Sequence, residues 1–268
     1  MNDKSDKIVI QFFQNQAITP VVWRNIDFNP ILASTNSVSY LYNNFGECFY
    51  TNNQKIVVAN PFDCASIFAL QYHLLTEALL RYKDEKIRNS SCALFKKCWG
   101  TDRNRIFFIN GPEEQMQESL EQNLKSSLKK VDIVREYNLG ASKPVDIHVY
   151  WRGANRAAMI EIKWLGRSKN SKGKLSALYS DKRANEGAVQ IKEYLDKANS
   201  DTPTRITKGV LVLIDGQRNG VSKGTTTIST ANGMFHSNKE IVFDADKKFA
   251  TIKNYMKPIR MFAEPICF

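Results

Sequence analysis

The stretch KPVDIHVY at residues 143–150, together with MIEIKW at residues 159–164, decides the fold that the sequence predicts. In each run apolar and polar residues alternate, which is typical of a half-buried β-strand. The polar segment between the runs, residues 151–156, contains Gly153 and predicts a turn. The whole region is therefore predicted to form a β-hairpin.

Three polar side chains of this hairpin are candidates for chemistry. Because successive side chains of a strand point to opposite faces, Asp146 lies opposite the apolar face of the first strand, and Glu161 and Lys163 share the polar face of the second. If the strands pair, two carboxylates and one amine meet at one place. Carboxylate oxygens are ligands that Mg2+ prefers, and a magnesium ion beside a cation suits the hydrolysis of phosphodiester bonds.

An Asp on one strand and Glu-X-Lys on the next resembles the PD-(D/E)XK nuclease superfamily, over roughly residues 105–216. One departure is that a single residue separates Pro144 from Asp146. The resemblance implies a metal-dependent deoxyribonuclease with Mg2+ as cofactor and Mn2+ able to replace it. It implies that Asp146 and Glu161 are metal ligands. It also implies that Asp146, Glu161 and Lys163 are catalytic residues. It also suggests restriction, repair or defence against foreign DNA as the biological setting.

The order of the predicted elements is a second line of support. Residues 110–113 have the composition of a helix start, with Pro near the first helical position and an acid in the first turn. A strand is predicted at 131–137, the hairpin follows, a second helix is predicted at about 181–198, and the apolar run 209–215 predicts a strand buried on both faces. This is the αβββαβ order of the restriction-endonuclease-like core, an α/β fold in which helices flank a mixed sheet. Residues 217–268 are expected to add peripheral strands and a terminal helix.

The resemblance implies two further site residues. Related nucleases carry a Glu near the start of the first helix that faces the metal. Glu113 fits this position because apolar residues follow it at helical spacing, although an acid at a helix start also stabilises the macrodipole without any catalytic role. In the second helix, Gln190 and Tyr194 are similar to the Gln-X-X-X-Tyr motif of one exonuclease-like branch, which makes Gln190 a candidate catalytic residue. Gly187, on the same face, would let the helix approach the sheet or the substrate closely.

The remaining chain is less informative. Residues 1–104 are predicted to form a separate α+β region of unknown role, and residues 105–268 to form the nuclease domain. A long helix is predicted from residue 61 to about residue 88 because apolar residues recur at helical spacing. The basic residues 167–174 follow the Glu-X-Lys strand, and their composition suits either a loop that contacts phosphates or a loop that is merely solvated. Short strands are expected in three apolar runs, residues 7–13, 38–42 and 55–58.

Composition narrows the class of protein. The formal net charge of +11 predicts a surface that attracts polyanions, because phosphates bind such surfaces with release of counterions. No run reaches the roughly eighteen apolar residues of a membrane span, and the N-terminus lacks the apolar core of a signal peptide. Five cysteines at irregular spacings, without a Cys-X-X-Cys pair, argue against a disulfide framework or a zinc site and favour a reducing cytoplasm.

The sequence leaves alternatives open. DNA is the expected partner, RNA is not excluded, no membrane is expected, and a homodimer or an accessory protein partner is compatible with the sequence. The leading alternative function is a non-catalytic nucleic-acid-binding module of the same fold, and the next is an RNA-directed nuclease or another cation-dependent hydrolase. Asp146, Glu161 and Lys163 argue against the binding module, because a protein that only binds gains nothing from carboxylates that repel phosphates.

Overall fold

The computed structural model describes residues 8–11, 21–24, 30, 39–43, 46–51, 54–58, 71–140, 143–151 and 155–268. Contacts within the chain divide it into two compact units, residues 1–69 and residues 70–268. This division falls earlier in the chain than the boundary after residue 104 that the sequence suggests.

Within its described residues, the first unit forms short antiparallel strands. The strands are β1 (Ile8–Gln11), β2 (Val21–Arg24), β3 (Ser39–Asn43), β4 (Gly46–Thr51) and β5 (Gln54–Val58). β1 pairs with β2, and β4 pairs with both β3 and β5. β1, β3 and β5 lie in the apolar runs where the sequence predicts strands.

The second unit opens with helical segments. They are α1 (Gln71–Tyr82), a π-helical turn (Lys83–Ile87), α2 (Ala93–Lys96) and a 3-10 turn (Lys97–Trp99). Leu75, Leu79 and Tyr82 of α1 are fully buried, and the Tyr82 hydroxyl donates a hydrogen bond to Ser119 Oγ at 2.7 Å. α1 therefore belongs to the core of the second unit, which is why the chain divides before it. Residues 61–70, where the predicted helix begins, lie outside the described residues.

The centre of the second unit is a mixed five-stranded sheet. The remaining elements, in chain order, are β6 (Phe108–Ile109), α3 (Glu113–Ser127), β7 (Asp132–Tyr137), β8 (Val145–Trp151), β9 (Arg156–Leu165), β10 (Ser168–Lys169), α4 (Asp181–Asp201), β11 (Ile206–Asp215), α5 (Thr230–Gly233) and β12 (Ile259–Phe262). The sheet order is β12–β11–β9–β8–β7. β8 runs antiparallel to both β7 and β9, whereas β11 is parallel to both β9 and β12. β6 and β10 form a separate parallel pair.

Helices cover both faces of this sheet, and each face has its own hydrophobic core. α1 and α3 bury one face, where Ile147, Ile160 and Val212 pack, and this cluster is called the α3 core. α4 covers the other face over Met159 and Leu211, in a cluster called the α4 core. Both β9 and β11 contribute to both cores. The prediction of a strand buried on both faces is confirmed for residues 209–215 of β11, whereas β9, predicted as a half-buried strand, is also buried on both faces.

The predicted α/β class, with helices flanking a mixed sheet, is confirmed. From α3 to β11 the elements follow the expected order of helix, three strands, helix and strand, with the short β10 inserted before α4. The prediction of a terminal helix is wrong. Residues 259–262 instead form β12, because Ile259 and Met261 fill the α3 core beside β11. In the part of the chain that the structure describes, no helix has the length and apolar character needed to cross a membrane.

Candidate active site

The register of β8 and β9 brings the three candidate residues of the hairpin together. The ladder between β8 and β9 ends at the pair Ile147–Ile160, and Asp146 and Glu161 are the next residues of the two strands. Asp146 reaches β9 by accepting a hydrogen bond from the backbone N–H of Ile162, next to Glu161, and its negative charge acts on the Glu161 carboxylate. Lys163 lies two residues beyond Glu161 on β9, and its amine forms an ion pair with the Glu161 carboxylate.

Asp146 lies in the plane of the sheet rather than on one of its faces. Its Oδ2 accepts a hydrogen bond from the backbone N–H of Ile162 at 2.6 Å, where a strand carbonyl would be the acceptor in a regular ladder. Its Oδ1 accepts a hydrogen bond from the side-chain amide of Gln117 in α3 at 2.7 Å. A carboxylate offers about four lone-pair sites, so acceptor capacity remains on both oxygens for a cation.

A local distortion of β7 and β8 accounts for this orientation. Val145 packs in the α4 core whereas Ile147 packs in the α3 core, so the alternation of β8 is interrupted at Asp146. Opposite Asp146, Glu136 of β7 has a φ of 48°, and the β7–β8 ladder skips this pair. A non-glycine residue at positive φ is strained, and such strain is concentrated at functional sites. The regular alternation that gives Asp146 and His148 the same face therefore does not hold here.

Glu161 is almost completely buried, with 2% of its surface exposed, and both of its oxygens have partners. Oε1 is ion-paired with Lys163, and Oε2 lies 3.1 Å from the Tyr194 hydroxyl of α4. The same hydroxyl lies 2.9 Å from the carbonyl oxygen of Pro144, which precedes β8. Since one hydroxyl hydrogen serves one acceptor at a time, Tyr194 can alternate between the two strands that carry the acids.

Burial favours the neutral form of both acids. It raises the pKa of Asp146 above its ordinary value, against the opposing effects of the Ile162 N–H, Lys163 and Gln117. Burial, and after it the negative charge of Asp146, raise the pKa of Glu161 to about 7. Two buried carboxylates that repel each other form a place where a divalent cation is favoured, because the cation removes the repulsion.

Lys163 lies beneath α4 at Gly187, where the helix has no side chain. A Cβ added to Gly187 would lie 2.9 Å from Lys163 Cγ and 2.7 Å from Leu211 Cδ1, closer than ordinary contacts allow. The glycine therefore lets α4 lie directly on β9 and β11 and confines the aliphatic part of Lys163. This is the close approach to the sheet that the sequence predicts for Gly187.

Glu113, the third candidate metal ligand, is held by other groups. Its Oε1 accepts hydrogen bonds from Trp164 Nε1 at 2.7 Å and from Arg183 Nη2 at 3.0 Å, and its side chain is 40% exposed. Trp164 packs in the α3 core, on the opposite face of β9 from Glu161 and Lys163. The structure therefore does not bring Glu113 into contact with the two buried carboxylates.

Gln190, the fourth candidate catalytic residue, is half-buried on α4. Among the residues that the structure describes, the side chain of Gln190 has no hydrogen-bond partner. Tyr194, one turn later in the same motif, is the residue of α4 that reaches Glu161.

Gln117 is a site residue that the sequence reasoning missed. It lies one turn after Glu113 on α3, and only 7% of its surface is exposed. The available signal was a polar residue beside the apolar stripe of Met116 and Leu120, because a polar side chain on a buried helix face needs a hydrogen-bond partner. Here that partner is Asp146.

The chain matches no model of a protein family, no curated protein and no solved structure. Within the described ranges, no group of three or more His, Cys, Asp or Glu side chains is arranged to hold a metal ion. Asp146 and Glu161 thus form a two-carboxylate set, whereas a structural zinc site needs four protein ligands. Two carboxylates fit Mg2+, which is commonly bound by one or two of them together with water and substrate phosphates.

Proposed function

We propose that this protein is a metal-dependent nuclease that hydrolyses phosphodiester bonds of DNA. The observation that supports this function is that Asp146 is hydrogen-bonded to the backbone N–H of Ile162, next to Glu161, and that Lys163 is ion-paired to Glu161. When ionised, two carboxylates and one ammonium leave one negative charge without a partner in a buried place. Such a charge is costly for a group that serves packing alone, and a divalent cation offsets it.

Each residue of the site has a role in this proposal. Asp146 and Glu161 would hold Mg2+, with Mn2+ able to replace it. When bound, the ion lowers the pKa of a coordinated water and neutralises charge on the phosphoryl transition state. Gln117 from α3 and Tyr194 from α4 fix the two carboxylates from opposite sides of the sheet, which maintains their spacing. Lys163 supplies a positive charge for the phosphate oxygens.

The substrate class follows from charge and from the resemblance. A net charge of +11 favours a polyanion, and phosphate backbones bind basic surfaces without regard to sequence. The likeness of the hairpin to PD-(D/E)XK nucleases makes DNA the first choice, and RNA the alternative to be tested beside it.

The direct test is incubation of the purified protein with supercoiled plasmid, linear duplex, single-stranded DNA and RNA, each in Mg2+, Mn2+ or EDTA. We expect cleavage of DNA with either metal and none in EDTA. Glu161→Gln keeps the size of the side chain but removes its charge, and it should abolish cleavage. Glu186→Gln, which changes an exposed acid of α4, is the matched control and should cut like the wild type.

The outcomes separate the competing functions. If only RNA is cleaved, RNA rather than DNA is the substrate. Binding that persists in EDTA, without cleavage of any of the four substrates in either metal, would favour a non-catalytic nucleic-acid-binding module. Undiminished cleavage by both Glu161→Gln and Asp146→Asn would contradict the assignment of the site.

A further inference from the structure

Two stretches of the second unit contain no acidic residue. Residues 162–180 lie between Glu161 and Asp181, and residues 216–239 lie between Asp215 and Glu240. Both stretches are basic. Their cations are Lys163, Arg167, Lys169, Lys172 and Lys174 in the first, and Arg218, Lys223 and Lys239 in the second.

The fold brings these two stretches into contact. Lys169, in β10, donates a hydrogen bond through Nζ to the backbone carbonyl of Lys223 at 3.0 Å. A β-bridge between Lys169 and Leu175 closes a small hairpin around Gly173. A Cβ added to Gly173 would lie 3.5 Å from Lys223 Cε and 3.7 Å from Lys169 Cε. The side chains of two lysines that are distant in sequence therefore converge on the tip of this hairpin.

Five cations form this surface, which is called the lysine surface: Arg167, Lys169, Lys172, Lys174 and Lys223. Within residues 71–140, 143–151 and 155–268, no carboxylate forms an ion pair with any of them. Lys172, Lys174 and Lys223 are exposed. Like charges held together without an acid destabilise the folded chain, and a bound polyanion relieves several of these repulsions at once.

The lysine surface lies close to the candidate site. β9, which carries Glu161 and Lys163, ends at Leu165, and β10, which carries Lys169, begins three residues later (168 − 165). Lys169 follows Glu161 by eight residues (169 − 161), which span at most about 29 Å of extended chain. That is less than one turn of B-form DNA, about 34 Å. A single duplex is therefore long enough to contact both places.

We propose that the lysine surface binds the phosphate backbone of the DNA duplex that flanks the cleaved bond on one side. The choice of DNA rests on the proposed nuclease function. Lysine contacts to phosphates carry no sequence information, so this surface would set affinity and position rather than sequence preference. It therefore gives the basic segment after β9 a role in binding phosphates, in place of a merely solvated loop.

The first test measures binding without cleavage. The triple variant Lys172→Gln, Lys174→Gln, Lys223→Gln is compared with the control Lys129→Gln, Lys253→Gln, Lys257→Gln, which removes the same charge from exposed lysines near the opposite end of the sheet. Fluorescence anisotropy in EDTA, with a duplex of about 30 base pairs, or about three turns, gives affinity against salt. The first variant should lower the salt slope by about 2.7, which is 0.9 for each of three phosphate contacts, and the control should leave it unchanged.

The second test uses cleavage in Mg2+. With the long duplex, the lysine-surface variant should show a KM raised at least tenfold and an unchanged kcat. The control variant should keep the KM and kcat of the wild type on the same duplex, because its exposed lysines lie near the opposite end of the sheet. Thermal melting of both triple variants checks that they are folded.

The lysine surface and the nuclease function can fail separately. Equal salt slopes and equal affinities for the two triple variants would overturn the lysine surface, whatever the activity. Selective loss of binding in the lysine-surface variant would support the surface even if the wild type cuts no substrate, in which case only the nuclease function fails. Loss of cleavage in Glu161→Gln, with both triple variants binding like the wild type, would leave the nuclease function standing without this surface.

Discussion

At the scale of single residues, the fold holds Asp146 and Glu161 in a place where their charged forms are disfavoured. Both are removed from water, and the negative charge of Asp146 adds to the cost of ionising Glu161. Gln117, Ile162, Tyr194 and Lys163 recover part of this cost through hydrogen bonds and one ion pair. In the proposed function, a divalent cation offsets the remaining imbalance. The same burial makes the contribution of Glu161 to the stability of the metal-free protein depend on pH.

The contribution of Glu161 to the stability of the metal-free protein should fall as pH rises. The folded-state pKa of about 7 lies above the ordinary 4.5, so the folded state binds the proton more tightly than the unfolded state. The corresponding stability is present below about 4.5 and is lost as pH rises to about 7. In EDTA, the free energy of urea unfolding of the wild type minus that of Glu161→Gln should decline by at most about 1.4 kcal/mol per pH unit in this window. Added Mg2+ should stabilise more at higher pH, because it binds the ionised carboxylates.

Glu161→Gln is the control for this pH dependence, since it keeps the volume of the side chain and cannot ionise. The slope that remains in this variant comes from the other perturbed groups, among them Asp146 and His148. Burial lowers the pKa of His148 to about 4, so its contribution to stability rises with pH. Identical slopes in the wild type and in Glu161→Gln would show that burial does not perturb Glu161 as described.

Removal of the Gln117 amide should weaken metal binding more than it weakens folding. Gln117→Leu keeps an apolar contact in α3 but no longer donates to Asp146, so the carboxylate loses one of the groups that orient it. Losses of about 10- to 100-fold in metal affinity are typical when such a supporting group is removed. The Mg2+ concentration for half-maximal cleavage measures this effect. Gln122→Leu, at an exposed position of the same helix, should leave it unchanged.

The sequence predicted the acids of the site better than the groups that support them. Glu161 and Lys163 were predictable because strand alternation is a local property, and Asp146 was predictable from the pairing of the hairpin strands, although the alternation does not hold at this residue. Gln117 was missed because several residues of α3 are polar, and only the packing of the helix on the sheet decides which of them is buried. The in-plane orientation of Asp146 depends on the strained backbone of Glu136 on another strand, which no local pattern encodes.

At the scale of elements, the packing of α4 on β9 and β11 depends on two glycines that contact different neighbours. Gly187 lies against Lys163 and Leu211, whereas a Cβ on Gly209 of β11 would meet Ile191 Cγ2 at 2.3 Å and Leu195 Cδ1 at 3.1 Å. One glycine thus lies beside the candidate site, and the other lies in a purely apolar contact.

Alanine at these two positions should separate stability from activity. Gly187→Ala and Gly209→Ala should each destabilise the fold by about 1–3 kcal/mol, because the added methyl group overpacks a close contact. Gly187→Ala should also lower kcat, since the methyl group displaces Lys163. Cleavage rates at a temperature where both variants are fully folded measure this difference. Equal loss of kcat in both variants, or none in Gly187→Ala, would argue against the positioning of Lys163 by α4.

Elements were predictable where one periodicity persisted over many residues, as in β9, β11 and α4. Peripheral strands were expected after residue 217, but the position of β12 was not predicted, because this strand has four residues and its place depends on the edge of β11, far away in sequence. The helical region before residue 104 was identified, but its partner was not, since an apolar stripe shows that a helix is buried without showing against what.

At the scale of the whole molecule, α1 and the turns after it contribute to the core that supports the candidate site. Leu75, Leu79 and Tyr82 are fully buried in the α3 core, in which Met116 and Leu120 of α3 also lie. α3 in turn supplies Gln117 to Asp146. The segment from α1 to β6 therefore supports the position of a helix that contacts the candidate site, although it carries no candidate catalytic residue.

Two fragments test this organisation. The fragment 70–268 should fold with a single cooperative transition and keep a melting temperature that rises with Mg2+, because it retains the sheet, both cores and all candidate site residues. The fragment 105–268, which begins at the boundary suggested by the sequence, should not fold. Losing a large buried side chain costs about 2–5 kcal/mol, and the removal of Leu75, Leu79 and Tyr82 alone approaches or exceeds a typical total stability of about 5–15 kcal/mol. Circular dichroism and thermal melting of both fragments measure the outcome, and cooperative melting of 105–268 at the temperature of 70–268 would show that α1 is dispensable for this core.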